Sequence, residues 1–153
     1  MKQQLTYDEA IHRAAAYCSA SEKCASDVSE KLSSWGVSSA ENANIVAYLT
    51  KENFLNEERF VRAFVNDKFR FNKWGKIKIA YALRAKNISA EMIQAALENF
   101  DENEYFDILT ELLKLKAQGL KYKDEYDKRA KLFRFAQSRG FESREIQKIL
   151  GKF

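Results

Sequence analysis

Apolar residues recur along this chain at helical intervals, and polar residues with capping chemistry interrupt them at regular places. Thr6 followed by Glu9 has capping-box spacing, and Ile11, Ala14, Ala15 and Cys18 continue the pattern, predicting a first helix over Tyr7–Cys18. Ser19 with Glu22 repeats the signal ahead of a second helix carrying Cys24, Val28 and Leu32 in one row, ended by Gly36. Ser38 with Glu41 opens a third helix, with Ile45, Val46 and Leu49 facing inward. Asn56 caps a fourth, whose Phe60, Val61, Phe64, Val65 and Phe69 form a broad apolar stripe. After the Trp74-Gly75 interruption a fifth helix starts near Lys76, with Ile77, Ala80, Tyr81 and Leu83 available to pack. Ser89 starts a sixth around Ile93, Ala96, Leu97 and Phe100, and Asp101 with Glu104 caps a seventh bearing Tyr105, Leu109 and Leu113. An eighth over Asp124–Arg139 and a ninth from Ser143 complete the chain.

The joints repeat. Gly36-Val37-Ser38, Asn87-Ile88-Ser89 and Gly140-Phe141-Glu142 hold equivalent places, 51 and then 53 residues apart. Each offers a residue suited to a left-handed helix cap, then an apolar residue, then the start of the next helix. The expected architecture is all-α: three tandem three-helix repeats over 1–54, 55–100 and 101–153, stacked into an elongated, curved helical body. No single module of that size buries its apolar faces alone.

Composition agrees with that reading, since 153 residues contain no proline and only 5 glycines. No apolar run approaches the length of a membrane span, and the N-terminal residues lack the apolar centre of a secretory signal. Cys18 and Cys24 stand alone, which argues against a disulfide framework or a zinc site and for reduced thiols in a cytoplasm. His12, the only histidine, has no nucleophile built around it, and no phosphate-cradling glycine loop occurs. Neither enzymatic activity, cofactor nor metal is expected.

Charge changes the picture more. The chain as a whole is mildly basic, with 26 basic against 22 acidic residues, yet Lys68–Lys86 holds Lys68, Arg70, Lys73, Lys76, Lys78, Arg84 and Lys86 and no acid. Glu98–Glu111 is the converse, with six acids and no base. Seven like charges repel one another unless something anionic lies nearby, so the run reads as a binding surface rather than a solvated face. Lys78 and Lys86 share one side of the predicted helix and Lys76 points elsewhere, so a single partner does not touch them all. Trp74 either staples the turn between helices or stacks on a base. Arg59 has two roles open to it, partner contact or an ion pair within its own repeat.

The same stretch carries a family resemblance. Glu58-Arg59-Phe60-Val61-Arg62-Ala63-Phe64-Val65, then Lys73-Trp74-Gly75-Lys76-Ile77-Lys78-Ile79, then Leu83 and Lys86-Asn87-Ile88, resembles the central signature of the RecX family of recombination regulators. Val61 stands where alanine is usual, Asn87 where glycine is usual, and Lys76 and Lys78 where arginine is common. The last exchange keeps charge but loses bidentate phosphate geometry. The resemblance implies three tandem three-helix repeats and modulation of the RecA recombinase. Such a protein would bind the RecA filament on single-stranded DNA and inhibit strand exchange, ATP hydrolysis and coprotease activity.

The residues expected at the partner or DNA interface are Arg59, Arg62, Lys73, Trp74, Lys76, Lys78, Arg84 and Lys86, with weak binding to bare single- or double-stranded DNA, no membrane partner and a monomeric state. The alternative is a sequence-nonspecific DNA-binding helical protein acting without RecA. The apolar and lysine side chains of the fifth helix do not suit base reading in a major groove.

Overall fold

The structure is a computed structural model describing residues 5–153. Among these residues there are nine α-helices and no strand: α1 (Tyr7–Ala20), α2 (Ala25–Ser34), α3 (Ser39–Lys51), α4 (Glu57–Arg70), α5 (Lys76–Ala85), α6 (Ala90–Glu98), α7 (Glu102–Gln118), α8 (Glu125–Ser138) and α9 (Ser143–Leu150). No helix among them is long and apolar enough to cross a membrane. The chain divides into two compact units, one running up to Ala63 and including Lys86–Ile88, the other comprising Phe64–Ala85 and Ser89–Phe153.

In the first unit Ala10, Ala14 and Cys18 of α1 meet Val28 and Leu32 of α2 and Ile45 and Leu49 of α3, closed below by Leu55. Thr6 and Ser38 cap α1 and α3 by accepting the Glu9 and Glu41 amides at 3.2 and 3.3 Å. The expected cap at Ser19 does not form. Helix α1 runs on to Ala20 instead, because the Ser19 hydroxyl is satisfied inside it by donating to the Ala15 carbonyl at 2.9 Å. Helix α2 therefore opens later, at Cys24, whose amide donates to the Asp27 carboxylate at 3.3 Å.

Aromatic rings centre the second unit. Phe69 lies edge-on to Phe100 at 4.6 Å and stacked with Tyr105 at 5.5 Å, and Tyr105 meets Phe141 at 5.3 Å. On α5 the buried residues are Ile79, Ala80 and Leu83. Ile77 and Tyr81, expected inward, are 53% and 71% exposed. Both apolar rows satisfy helical spacing on α5, and the Gly75 turn selects which one faces the core.

The joints have the geometry their residues suggest. Gly36, Asn87 and Gly140 take φ of 83°, 63° and 92°. Val37 donates its amide to the Leu32 carbonyl at 3.1 Å and Phe141 to that of Ala136 at 3.2 Å, the six-to-one bond of a Schellman motif. The apolar residue after the cap turns inward, completely so for Phe141.

Candidate partner and nucleic-acid interface

The placement of α5 is decided at its first turn. Gly75 donates its amide to the Arg139 carbonyl at 2.7 Å and Ile77 donates to that of Gly140 at 2.9 Å. A Cβ on Gly75 would overlap the backbone of Gly140 and Phe141, and one on Gly140 would overlap Lys78, so two glycines permit this approach. Lys76 donates its amide to the Tyr105 hydroxyl at 3.0 Å, and that hydroxyl donates in turn to Glu142. Burial, then the Glu142 carboxylate, pushes the Tyr105 phenol well above its ordinary range, which keeps it a neutral donor.

This frame sorts the expected interface residues between the two units. In the first, Arg59 Nε donates to both oxygens of Glu22 at 3.1 Å, and its Nη2 donates to the Asn53 carbonyl at 3.0 Å. Arg59 thus holds an ion pair whose partner lies in the first repeat, not in its own. Lys86 lies beyond the end of α5 rather than on its face beside Lys78. Its ammonium donates to Asp27 at 2.7 Å and lies 5.8 Å from the centre of the Phe60 ring. The hydrogen bond to Asp27 raises the Lys86 pKa above its ordinary value. Burial opposes ionisation of Asp27, but the bonds from Lys86 and Cys24 outweigh it and hold that carboxyl below its usual range. Arg62 is exposed.

In the second unit Lys73, at φ 57°, turns its ammonium back onto the Arg70 carbonyl at 2.7 Å. Lys76 lies over the rings of Tyr105 and Phe100 at 4.8 and 5.4 Å. Trp74 is half-buried, edge-on to Phe64 at 6.5 Å, with the ammonium groups of Lys78 and Lys68 at 4.6 and 4.9 Å from its ring. The indole staples the turn and orients two cations. Arg84 is exposed.

The run that lacks acids in sequence therefore meets some in space: Asp27 for Lys86, and Glu104 for Arg70 at 2.9 Å. Two groupings were not drawn from the sequence, although Arg84 was expected at the interface and Lys68 belongs to the basic run. Ile77, Tyr81 and Arg84 stand at i, i+4 and i+7 on the outer face of α5 and are all exposed, a mixture of apolar, aromatic and arginine chemistry typical of protein contacts. Lys68 and Arg139 approach the Asn72–Trp74 turn, Arg139 by donating from Nη1 to the Asn72 carbonyl at 3.4 Å. Burial raises the thiol pKa values of Cys18 and Cys24, the opposite of nucleophile activation.

Sequence profiles described as "RecX, second three-helix domain" and "RecX, third three-helix domain" match residues 56–97 and 102–150. The chain belongs to the RecX family. The protein named Regulatory protein RecX of Clostridium beijerinckii is 31% identical over 124 residues, 80% of this chain and 56% of that protein. The chain thus spans about half the length of such clostridial RecX relatives. The Regulatory protein RecX of Prosthecochloris aestuarii is 29% identical over 142 residues, 93% of this chain and 91% of its own length. The crystal structure of RecX from Lactobacillus salivarius superposes with a TM-score of 0.84 at 18% identity, covering 95% of each chain. A second RecX crystal structure gives 0.86 at 20% identity over 94% of this chain and 72% of that one. The fold is that of the RecX three-helix repeats, and the proteins it resembles in sequence are regulatory proteins.

Proposed function

We infer that this protein regulates the RecA recombinase, binding RecA filaments on single-stranded DNA and lowering their recombinase, ATPase and coprotease activities. RecX family membership supports the reading. The observation that carries it at the level of residues is the outer face of α5, where Ile77, Tyr81 and Arg84 lie exposed together. An exposed tyrosine and arginine beside an aliphatic residue make a good anchor for a protein surface, because they bury large area at modest entropic cost. RecA supplies the nucleotide chemistry; this protein binds, as a cytoplasmic monomer, without a cofactor.

Titrating the protein into a RecA ATPase assay on single-stranded DNA tests this. Inhibition at less than one molecule per RecA is the expected result. Unchanged hydrolysis at excess protein overturns it and leaves sequence-nonspecific DNA binding without RecA, a reading favoured by Lys68 and Lys78 over Trp74, which form no ion pair among the described residues.

A further inference from the structure

The two units contain the same joint twice, with one reversal of charge. In the first, the N-terminal turn of α2 receives the Lys86–Ile88 joint: Ser26 donates from its hydroxyl to the Lys86 carbonyl at 3.0 Å, and Lys86 pairs with Asp27. In the second, the N-terminal turn of α5 receives the Arg139–Phe141 joint through the Gly75 and Ile77 amides. The repeat spacing places Lys78 where Asp27 stands and Arg139 where Lys86 stands. One joint is closed by an ion pair; at the other both equivalent positions are cations, with Lys78 packed against Gly140 and over Trp74 and Arg139 bonded to the Asn72 carbonyl.

Nothing among the described residues pairs with them as Asp27 pairs with Lys86. Among the described residues no carboxylate lies within 4.0 Å of Lys68, Lys78 or Arg139, although pairs at that distance form elsewhere. Three separate segments contribute: Lys68 from α4 and Lys78 from α5, both held over Trp74, and Arg139 from the end of α8, held against Phe135 at 5.3 Å and against the Asn72 carbonyl. The first turn of α5 also carries no acid, so the positive end of its dipole adds to the same potential. Its Gly75, Lys76 and Ile77 amides already have acceptors, which leaves side chains to do the binding.

We propose that Lys68, Lys78 and Arg139, arranged around the Asn72–Trp74 turn, form a binding site for a phosphodiester of single-stranded DNA, which supplies the negative charge that Asp27 supplies in the other joint. Arg139 offers two donors to the phosphate oxygens, while the lysines act as point charges on either side of it. Phosphate contacts fix position without reading sequence. The site rests on the reading of α5 as a partner-facing element and identifies the chemical group that meets its inner edge.

Trp74 reports on the site once Trp35 is replaced by Phe. In that background, oligo-dT should change the indole emission, and log K against log salt should lose about 0.7 of slope for each of Lys78→Gln and Arg139→Gln. Arg129→Gln, which removes the same charge from the surface of α8, should lose none. Arg139→Lys covers the case in which the glutamine variant folds poorly: it should keep the slope and lower the affinity. Inorganic pyrophosphate should compete, whereas polyglutamate of matched charge should compete much less.

Equal behaviour of Lys78→Gln, Arg139→Gln and Arg129→Gln overturns the site. Equal competition by polyglutamate overturns phosphate as its ligand and points to an acidic protein surface. Both outcomes are independent of the RecA ATPase result, so the site and the filament reading fail separately.

Discussion

At the scale of single residues, the Asp27–Lys86 pair shows how a cation expected at an interface is used internally. The Lys86 ammonium sits 2.7 Å from a carboxylate that also receives the Cys24 amide, so Asp27 supports the start of α2 and anchors the joint. Lys86→Gln should cost about 1 kcal/mol in urea unfolding, between the values of exposed and buried pairs. A double-mutant cycle with Asp27→Asn should find most of that cost shared. The pH dependence follows from the shifts. The contribution of Asp27, whose folded pKa is depressed, is complete above the ordinary value of 3.8 and is lost as pH falls through the depressed value. That of Lys86, whose folded pKa is raised, is complete below 10.5 and is lost as pH rises through the folded value. Asp27→Asn should therefore flatten the acid limb of the stability profile. An unchanged acid limb in that variant would remove the pair from the account.

At the scale of elements, three glycines separate the ways a helix boundary is held. Gly75→Ala forces a methyl into the Gly140–Phe141 backbone and should destabilise the second unit by about 2–4 kcal/mol. Gly36→Ala meets no neighbour but strains a φ of 83°, and should cost about 1 kcal/mol. Gly119→Ala meets neither obstacle and should be neutral or slightly stabilising in the same urea series. An equal loss at Gly75 and Gly36 would contradict the close docking of α5. These boundaries were legible in the sequence because caps are local: Thr6, Ser38, Ser89 and Asp101 each act on an amide three residues ahead. What was not legible depends on distant partners. Nothing near Lys86 announces Asp27, nothing near Gly75 announces Gly140, and the exposure of Tyr81 follows from that second contact. Lys68 was read only as part of the basic run and Arg139 was left out of the expected interface for the same reason, since 71 positions separate them in the chain while both approach the Asn72–Trp74 turn.

At the scale of the whole molecule, a formal net charge of +4 would be too small to account for the tight association with an anionic filament that we propose. Under that proposal association would come from local surfaces, and two with different chemistry lie on α5: the outer row of Ile77, Tyr81 and Arg84, suited to protein, and the cluster around Trp74, suited to phosphate. Reversing Lys78 and Lys86 together would confuse them, because Lys86 holds the Asp27 pair and its loss perturbs folding. Tyr81→Ser with Arg84→Glu is the cleaner test of the outer row, since both side chains are exposed. The double variant should keep the wild-type melting temperature and helical circular dichroism while raising the concentration needed for half-inhibition of RecA ATPase by about tenfold, equivalent to about 1.4 kcal/mol. Its affinity for oligo-dT should change far less than that of Arg139→Gln, whose effect should in turn fade as salt rises. If the outer-row variant inhibits RecA as well as the wild type does, RecA is held elsewhere and α5 serves DNA alone. A parallel loss of RecA inhibition and oligo-dT binding in both variants would instead merge the two faces into one electrostatic surface.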